Sequence, residues 1–498
     1  MHPRQPLTSN SRQTPGGSAS RPARAGILRA LTLAGFMFLA VSGLRAQTAT
    51  GGPETTAPEQ PVLHFAGPGE GAETGPPVTI TLQDALERAR RNSPEYLSAV
   101  TDARNAHEDR IQARASLLPS VNTTTQELLT TGGSVLPTGR FVTNDGVHVY
   151  RAWGVFHEEV NPNLLTLTGY RRATVAEALA QAKAEIARRG LTVTVTQSYY
   201  TLVVGQRKYA TAQQSLGQAN EFLKTTRELE QGGEAAHSDV IKAELQAGQQ
   251  QQAFQEAKLA MENARLSLAV LLFPELNENF TAVDDLDQAP PLPPFEETRA
   301  MAVRANPDLK VAMDTMREAN LDVSAARNSF LPTLSVDTDY GIESNYFALQ
   351  SRVAAVSDAV PPKNLEQQNN LGQFTTFNLQ FPVWDWGTLR SKLHQSEWRR
   401  QQARVELTAA QRRMAASLYS AYNEATVARS EVDLLRQSAD LASESFRLTT
   451  LRYRAGEATA LEVVDAQNAL TQARNTYDDG QARYRVALAN LQTITGSF

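Results

Sequence analysis

The residues that most often carry covalent chemistry are absent or scattered in this chain of 498 residues. There is no cysteine, which excludes thiol nucleophiles, cysteine-based zinc sites, iron–sulfur clusters, disulfides and a lipid-modified N-terminal cysteine. His107-Glu108 lacks the second histidine of a zinc-protease motif, and neither a phosphate-binding loop nor a nucleophile elbow occurs. The sequence therefore predicts neither an enzyme nor a cofactor or metal site. The dispersed histidines are His2, His64, His107, His148, His157, His237 and His394.

The charge and hydropathy of the chain argue against two further classes of protein. Its 48 Lys+Arg and 53 Asp+Glu residues give a formal net charge of -5, without the basic excess of a nucleic-acid-binding protein. Only 41% of the residues are apolar. Beyond the N-terminal region no run approaches the roughly 18 consecutive apolar residues that a membrane-spanning helix needs. If the protein enters a membrane, we expect it to do so without a helical span.

The N-terminal region resembles a secretory signal peptide. Residues 1–46 contain six arginines and no acidic residue. An apolar run from Ala30 to Leu44 follows, and Ala46 is a small residue suited to cleavage. The long basic region before the run and Arg45 beside the cleavage point leave a retained N-terminal anchor as the alternative. Residues 47–78 are rich in Pro, Gly, Thr and Glu and are predicted to be a disordered leader.

The remaining sequence predicts two repeats, residues 79–290 and 291–498. A helical pattern opens at Pro94 after Asn92-Ser93 and ends at Pro119, and another opens at Pro307 after Asn306 and ends at Pro332. The prolines lie 25 residues apart in both copies (94 to 119 and 307 to 332). Proline suits the first turn of a helix after an Asn or Ser cap, and it forces the residue before it out of helical geometry. A second correspondence links Gly233-Glu234-Ala235 to Gly456-Glu457-Ala458.

A heptad seam follows each of these glycines. In the second repeat, small and apolar residues alternate in steps of four and three at Ala466, Leu470, Ala473, Tyr477, Gly480, Tyr484, Ala487, Leu491 and Ile494. Their counterparts in the first repeat are Ala243, Ala247, Gln250, Phe254, Ala257, Met261, Ala264, Leu268 and Leu271. Such alternation over about four heptads predicts coiled-coil packing. A proline-poor helical pattern from Gly387 to Gly456, about 100 Å long if fully helical, predicts an elongated body of long helices.

After each proline stop, the hydrophobic period changes from helical to two. The clearest alternating apolar positions are Leu334, Val336, Thr338, Tyr340 and Ile342, followed by Phe377, Leu379 and Phe381. Weaker versions around Val121–Leu129 and Val147–His157 complete two predicted hairpins, at about 120–160 and 333–382. This pattern is typical of membrane β-barrel walls, with exposed hairpins of a soluble sheet as the alternative. Since a barrel needs at least about eight strands, four strands per chain would require several chains to complete one.

Three segments of the chain resemble TolC-family outer-membrane factors, and with the duplication the resemblance covers about residues 79–498. They are Thr81-Leu82-Gln83-Asp84-Ala85-Leu86 with Asn92-Ser93-Pro94-Glu95, Arg452-Tyr453-Arg454-Ala455-Gly456 with Leu461-Glu462-Val463-Val464-Asp465-Ala466-Gln467, and Phe381-Pro382-Val383-Trp384-Asp385-Trp386-Gly387. The resemblance implies a mainly α fold with a membrane β-barrel portion. In it, a homotrimer shares one twelve-stranded β-barrel, and long coiled-coil helices continue that barrel as an α-barrel across the periplasm.

The resemblance implies that the protein is the exit duct of a tripartite efflux pump or a type I secretion system in the cell outer membrane. The implied partners are two further copies of the chain, a periplasmic adaptor (membrane fusion) protein, an inner-membrane RND, ABC or MFS transporter, and outer-membrane lipid. The cargo stays open. A soluble periplasmic coiled-coil adaptor or scaffold protein is the competing interpretation.

The resemblance also assigns a pore gate to the helix after Gly456. Glu462 and Asp465 match the family's pair of acidic gate positions, and residues three apart share one helix face. Threefold symmetry would gather up to six carboxylates around the axis. Such a ring would attract divalent ions or cationic blockers and would raise some carboxylate pKa values. An ordinary solvated acidic face is the alternative.

A latch for the closed state is implied next to this gate. Tyr453 matches the family's constriction tyrosine and Asp239 matches its aspartate partner, which implies a phenol–carboxylate hydrogen bond between neighbouring coils. The family's second link joins an arginine to a hydroxyl residue at the position of Ser238. Here the arginine position is occupied by Ala458, so that link is missing.

The turns at the same end match the places where adaptor hairpins dock in the family. They contain Gly232 and Gly233 in the first repeat and Ala455 and Gly456 in the second. Because any helical hairpin favours glycine at a left-handed C-cap, these residues also have a purely structural explanation.

Overall fold

The computed structural model describes residues 77–129, 148–274, 279–288, 290–344, 350–354 and 365–496. The predicted signal peptide, residues 1–46, lies outside the described residues, as does the predicted leader 47–78 up to residue 76. The described residues belong to one unit, which contains both predicted repeats.

Long α-helices make up most of the described residues. Their bounds are α1 Leu82–Asn92, α2 Pro94–Ala115, α3 Pro162–Leu165, α4 Thr168–Gln231, α5 His237–Leu272, α6 Phe295–Ala305, α7 Pro307–Asn328, α8 Thr388–Arg454 and α9 Ala460–Thr495. Helices α4 and α8 have 64 and 67 residues, which confirms the long helix predicted between Gly387 and Gly456. Within the described part of the chain, no helix is both long enough and apolar enough to cross a membrane.

The helix starts follow the predicted cap chemistry in both repeats. The Ser93 side chain accepts a hydrogen bond from the Tyr96 amide at 3.3 Å, and Pro94 is the first residue of α2. The Asn306 side chain accepts one from the Leu309 amide at 2.9 Å ahead of α7, which also begins with proline. Helices α2 and α7 are both 22 residues long, and α5 and α9 are both 36. Corresponding helices of the two predicted repeats therefore have equal lengths.

The predicted coiled-coil seams lie inside the helical packing. Helix α5 packs on α4, and α9 packs on α8. The predicted seam residues on α5 and α9 are all buried or half-buried, including Leu268 and Leu491. Small side chains such as Ala243 and Gly480 lie against the partner helices, as close approach requires.

Eight strands form three separate sheets within the described residues. Their bounds are β1 Val78–Ile80, β2 Ser120–Leu129, β3 His148–Val160, β4 Phe280–Ala282, β5 Thr333–Ser344, β6 Gln350–Ala354, β7 Leu365–Asn369 and β8 Leu371–Gln380. The largest sheet is antiparallel with the order β2-β3-β5-β8, while β1 pairs with β4 and β6 pairs with β7. The regions of the two predicted hairpins contain the antiparallel pairs β2-β3 and β5-β8. The strand expected around Phe377–Phe381 begins earlier, at Leu371, and ends at Gln380. The sequence pattern did not indicate its first half, because that half lacks a clear apolar alternation.

Most apolar side chains of the four-stranded sheet lie on one face, as the period of two predicted, although Trp153 and Phe374 lie on the opposite, more polar face. Leu334 lies opposite Leu379, and Val336 lies opposite Phe377, so the two predicted apolar stripes join on one face. The other face carries the polar residues of the same strands, including Asp337 and Asp339. Residues directly opposite each other in an antiparallel pair share a face, which fixes this assignment from the register alone.

Candidate functional site

The turns that join the long helices at Gly232-Gly233 and Ala455-Gly456 share one backbone geometry. After α4, Gly233 has φ +79°, its amide donates to Glu230, and the next amide donates to Leu229. After α8, Gly456 has φ +76° and the same pair of bonds recurs one repeat later. These are Schellman motifs, in which a left-handed residue satisfies the last helix carbonyls. Their glycines are therefore required by the turn itself, and we call the region of these two turns the tip.

Tyr453 lies in the apolar core of the tip, with only 6% of its surface exposed. Its ring centroid lies 5.1 Å from that of Phe222, and its hydroxyl donates a hydrogen bond to Thr226 Oγ1 at 3.2 Å. Both partners belong to α4, whereas Tyr453 belongs to α8. Ala243, Ala460 and Val463 complete the buried cluster. The tyrosine therefore joins the two helical hairpins of one chain.

The structure does not bring the predicted latch residues together within one chain. The Asp239 carboxylate forms an ion pair with Lys242, whose Nζ lies 3.1 Å away, one turn along α5. Ser238 is exposed at the start of the same helix. Ala458 packs against the apolar tip cluster, so the position of the family's arginine contributes apolar contact here.

Glu462 closes a capping box at the start of α9. Thr459 N donates to Glu462 Oε1 at 3.1 Å, and the Glu462 amide donates back to Thr459 Oγ1 at 3.3 Å. The other carboxylate oxygen lies 3.6 Å from Arg452 Nη1. The Thr459 amide and hydroxyl, aided by the Arg452 charge, hold the pKa of Glu462 below its ordinary value. Asp465 is exposed one turn further along α9.

The fold and these tip contacts can be compared with known proteins. A sequence model of the family described as outer membrane efflux protein matches residues 299–497. The outer membrane protein OprJ of Pseudomonas aeruginosa is 24% identical over 323 residues, which span 63% of this chain and 62% of OprJ. The pyoverdine export outer membrane protein OpmQ of the same species is 24% identical over 442 residues, 84% of each protein. The outer membrane channel CmeC of Campylobacter jejuni has a similar fold, with a TM-score of 0.70 and 17% identity over 83% of this chain and 85% of CmeC.

The second part of the chain is thus similar to the outer membrane efflux protein family, and outer membrane efflux proteins match the chain over up to 84% of its length. The predicted TolC-like relationship is thereby confirmed. These relatives place the chain in the outer membrane, among transport channels rather than enzymes.

Buried polar side chains near the tip join the two helical hairpins of the chain. Gln467 Nε2 donates to the Ser215 carbonyl at 2.7 Å, and Gln246 Nε2 donates to Asn468 Oδ1 at 2.9 Å. Gln246 and Gln467 are each 1% exposed. Sequence reasoning missed these residues, although the glutamine Gln250 on the predicted seam was a signal that polar side chains enter this packing.

At both junctions between the sheet and a long helix, an apolar residue has a left-handed backbone conformation. Leu167, just before α4, has φ 55°, and Trp386, just before α8, has φ 57°. A left-handed conformation costs a non-glycine residue roughly 1–2 kcal/mol. The exposed fraction of the residue surface is 89% for Trp386, 75% for Trp384 and 73% for Leu165. The backbone thus bears strain in both repeats where large apolar groups face outward.

Proposed function

We propose that the chain assembles as a homotrimer whose sheets close into one twelve-stranded β-barrel. In this proposal, the trimer is the exit duct of a tripartite efflux pump or type I secretion system. The observation that carries the proposal is the four-stranded sheet. It has one apolar face, and among the described residues neither β2 nor β8 has a strand on its outer side. Such a sheet cannot enter lipid alone, because each unpaired backbone group would cost several kcal/mol there.

The directions of the two edge strands suit closure by identical copies. Strands β2 and β8 each have ten residues, and they run in opposite directions because every neighbouring pair in the sheet is antiparallel. Strand β8 of one copy can therefore pair antiparallel with β2 of the next. Three copies give twelve strands without an edge, which satisfies the even strand number of bacterial barrels.

The long helices offer a second surface for other copies of the chain. On α8, Leu434, Leu441 and Leu448 repeat every seven residues and are 65%, 63% and 46% exposed. On α5, Leu245 and Leu259 are 63% and 59% exposed. Apolar residues seven apart form one stripe along a helix and pack in coiled coils. The sheet edges already require neighbouring copies, so we assign these stripes to the contacts between them.

The apolar residues at the strand-to-helix junctions support a membrane boundary at that level. Trp384 and Trp386 follow β8, and their rings lie 5.7 Å apart in an edge-to-face arrangement. Aromatic girdles mark both interfaces of outer-membrane barrels, because an amphipathic ring suits the headgroup region. In this proposal the sheet spans the lipid and the long helices extend into the periplasm.

The tip is proposed to close the duct and to dock the adaptor. Glu462 and Asp465 would form the acidic ring, and the turns at Gly232-Gly233 and Ala455-Gly456 would receive the hairpins of a periplasmic adaptor protein. An inner-membrane transporter of the RND, ABC or MFS class would complete the path. What supports this assignment is the recurrence of the same turn geometry in both repeats, which presents six equivalent turns at one end of a trimer.

Disulfide trapping tests the assembly cleanly, since the natural chain has no cysteine. Thr123→Cys on β2 is combined in turn with Gln373→Cys, Thr375→Cys or Phe377→Cys on β8, all on the apolar face. In one register, oxidation of outer-membrane fractions should give a covalent trimer on non-reducing gels. The single-cysteine variants are the controls and should stay monomeric after heating. Monomers in every register, or recovery of the protein in the soluble periplasmic fraction, would overturn the proposal.

A further inference from the structure

One carboxylate on the polar face of the sheet has no partner. Asp339 on β5 is only 8% exposed, and within the described residues its side chain forms no hydrogen bond and no ion pair. The charged groups on either side of it are compensated. Glu343 Oε1 accepts from Arg151 Nε at 2.9 Å, and Asp337 pairs with His157. Asp339 is therefore a buried acid that lies between two satisfied pairs.

An aromatic pair lies beside this carboxylate. Asp339 faces Phe374 directly across the β5–β8 register, and Trp153 meets the Phe374 ring edge-on at 5.4 Å. The indole reaches Phe374 because Gly341 lies opposite Trp153 on the strand between them; a Cβ on that glycine would lie 2.8 Å from the Trp153 Cα. Phe374 is 46% exposed, so its ring is accessible beside Asp339.

The chemistry of this arrangement favours a particular class of ligand. A carboxylate without an ion-pair partner attracts an incoming cation, and the low exposure of Asp339 reduces the screening of that attraction by water. An aromatic face attracts quaternary ammonium and guanidinium groups and also contacts their apolar substituents. The sheet already contains such a contact, because the Arg151 guanidinium lies over the Trp153 ring at 5.3 Å.

We propose that Asp339, Phe374 and Trp153 form a subsite on the inner wall of the β-barrel that binds monovalent organic cations bearing an aromatic or apolar group. The subsite rests on the proposed trimeric barrel, which turns the polar face of the sheet toward the lumen. Three copies would line the exit path. Organic cations would pause there on their way out, and anions of the same size would pass without binding.

Channel block by matched ions tests the subsite. The purified trimer is placed in a planar bilayer, and benzyltrimethylammonium, tetramethylammonium or benzenesulfonate is added on the side of the barrel. Benzyltrimethylammonium should block most strongly and benzenesulfonate least. D339N should weaken the benzyltrimethylammonium block about tenfold, since it removes the charge but keeps the shape. F374L should reduce the preference for benzyltrimethylammonium over tetramethylammonium.

Glu159→Gln is the matched control, because it removes one carboxylate from the same face at a distance from the aromatic pair. If Glu159→Gln and D339N lose block equally, the block depends only on the overall negative charge of the lumen, and the subsite is overturned. The subsite is equally overturned if wild-type channels conduct without any benzyltrimethylammonium block, or if D339N dissociates the trimer and so reveals a structural partner. A wild-type protein that forms neither trimers nor channels would instead refute the proposed function.

Discussion

The hydroxyl of Tyr453 donates its hydrogen bond to Thr226, 227 residues earlier in the chain, and this contact is buried. Thr226 is 0% exposed, and its own hydroxyl donates to the Phe222 carbonyl at 2.9 Å. Two side chains and one carbonyl thus form a short relay between α8 and α4. Because the resemblance to the family pointed to Asp239 instead, the relay offers a different latch for the closed tip.

Removing the phenol hydroxyl should loosen the tip. Tyr453→Phe loses one hydrogen bond of about 1 kcal/mol and leaves the Thr226 hydroxyl with one partner fewer, so we expect a higher closed-state conductance in planar bilayers. Thr226→Val should have a similar effect, and the double variant should add little to either single one. Asp239→Ala distinguishes the two latches. If Asp239→Ala rather than Thr226→Val is non-additive with Tyr453→Phe, the aspartate holds the tyrosine across copies in the trimer.

Glu462 has two separable roles, a helix cap and a proposed gate charge. Glutamine can take the same place in a capping box, so Glu462→Gln should keep α9 intact while removing the charge, whereas Glu462→Ala should lose both. We expect equal weakening of divalent-cation block in the two variants, and a larger drop in the thermal midpoint for alanine than for glutamine. If divalent-cation block stays at the wild-type level in both variants and in Asp465→Asn, these acids do not form a gate and belong to an ordinary solvated helix face.

The same residue gives a signed pH dependence. The pKa of Glu462 in the folded protein lies below its ordinary value of 4.5, chiefly because the Thr459 amide donates to it. The stabilisation it contributes is therefore fully present above pH 4.5 and is lost as the pH falls through the lower folded value. Glu462→Gln should match the wild type more closely in acid than at neutral pH. Thermal melts of the two proteins at both pH values measure this difference.

The sequence predicted the periodic parts of the structure well. Heptad residues such as Leu470 and Tyr484 identified the seam, and the alternation from Leu334 to Ile342 identified β5, because both signals depend only on local spacing. Strand β2 was harder to predict, since its run of threonines has little apolar contrast. Phe381 was placed in a strand but lies just after it.

Contacts between distant segments could not be predicted in the same way. The sequence places Tyr453 and Glu462 near the tip, but the partner of the tyrosine depends on how two hairpins pack. The cap formed by Glu462 was visible in principle, since Thr459 precedes it by three residues. The unpartnered state of Asp339 depends on strand register, which no local pattern contains. The function of such positions can therefore be inferred only once the fold is known.

Two glycines in register provide a sharp test of the sheet. Gly341 and Gly372 lie opposite each other on β5 and β8. A Cβ on Gly341 would collide with the Ala152 carbonyl and lie 2.8 Å from Trp153 Cα, whereas one on Gly372 meets nothing within 4 Å. Gly341→Ala should therefore lower the heat stability of the trimer on gels, and Gly372→Ala should leave it unchanged. Equal tolerance of both alanines would show that β3 and β5 are not paired in this register.

Arg207 ties the loop after β4 to the long helices, and its removal should expose a buried acid. Its guanidinium donates to Asp284 Oδ1 at 2.8 Å, to Asp287 at 3.0 Å and to Asp478 at 3.1 Å. Asp478 keeps only 9% of its side-chain surface exposed, and burial already raises its pKa. Arg207→Met leaves this carboxylate without its cation, so we expect a loss of roughly 3 kcal/mol of stability.

The defect of Arg207→Met should be pH-dependent in a defined direction. An acid whose pKa is raised by folding binds its proton more tightly in the folded protein, so stability falls as the pH rises through that raised value. The variant should therefore lie closest to the wild type in mild acid and furthest from it at neutral pH. Asp478→Asn in the same background should recover part of the loss at neutral pH, because no buried charge is left. Thermal midpoints of the wild type, the two single variants and the double variant at two pH values complete the cycle.

The exposed pair of Arg447 and Glu444 supplies the control, since Arg447→Met should change the midpoint little at either pH. If Arg207→Met and Arg447→Met behave alike, the Arg207 contacts contribute no more than a surface ion pair.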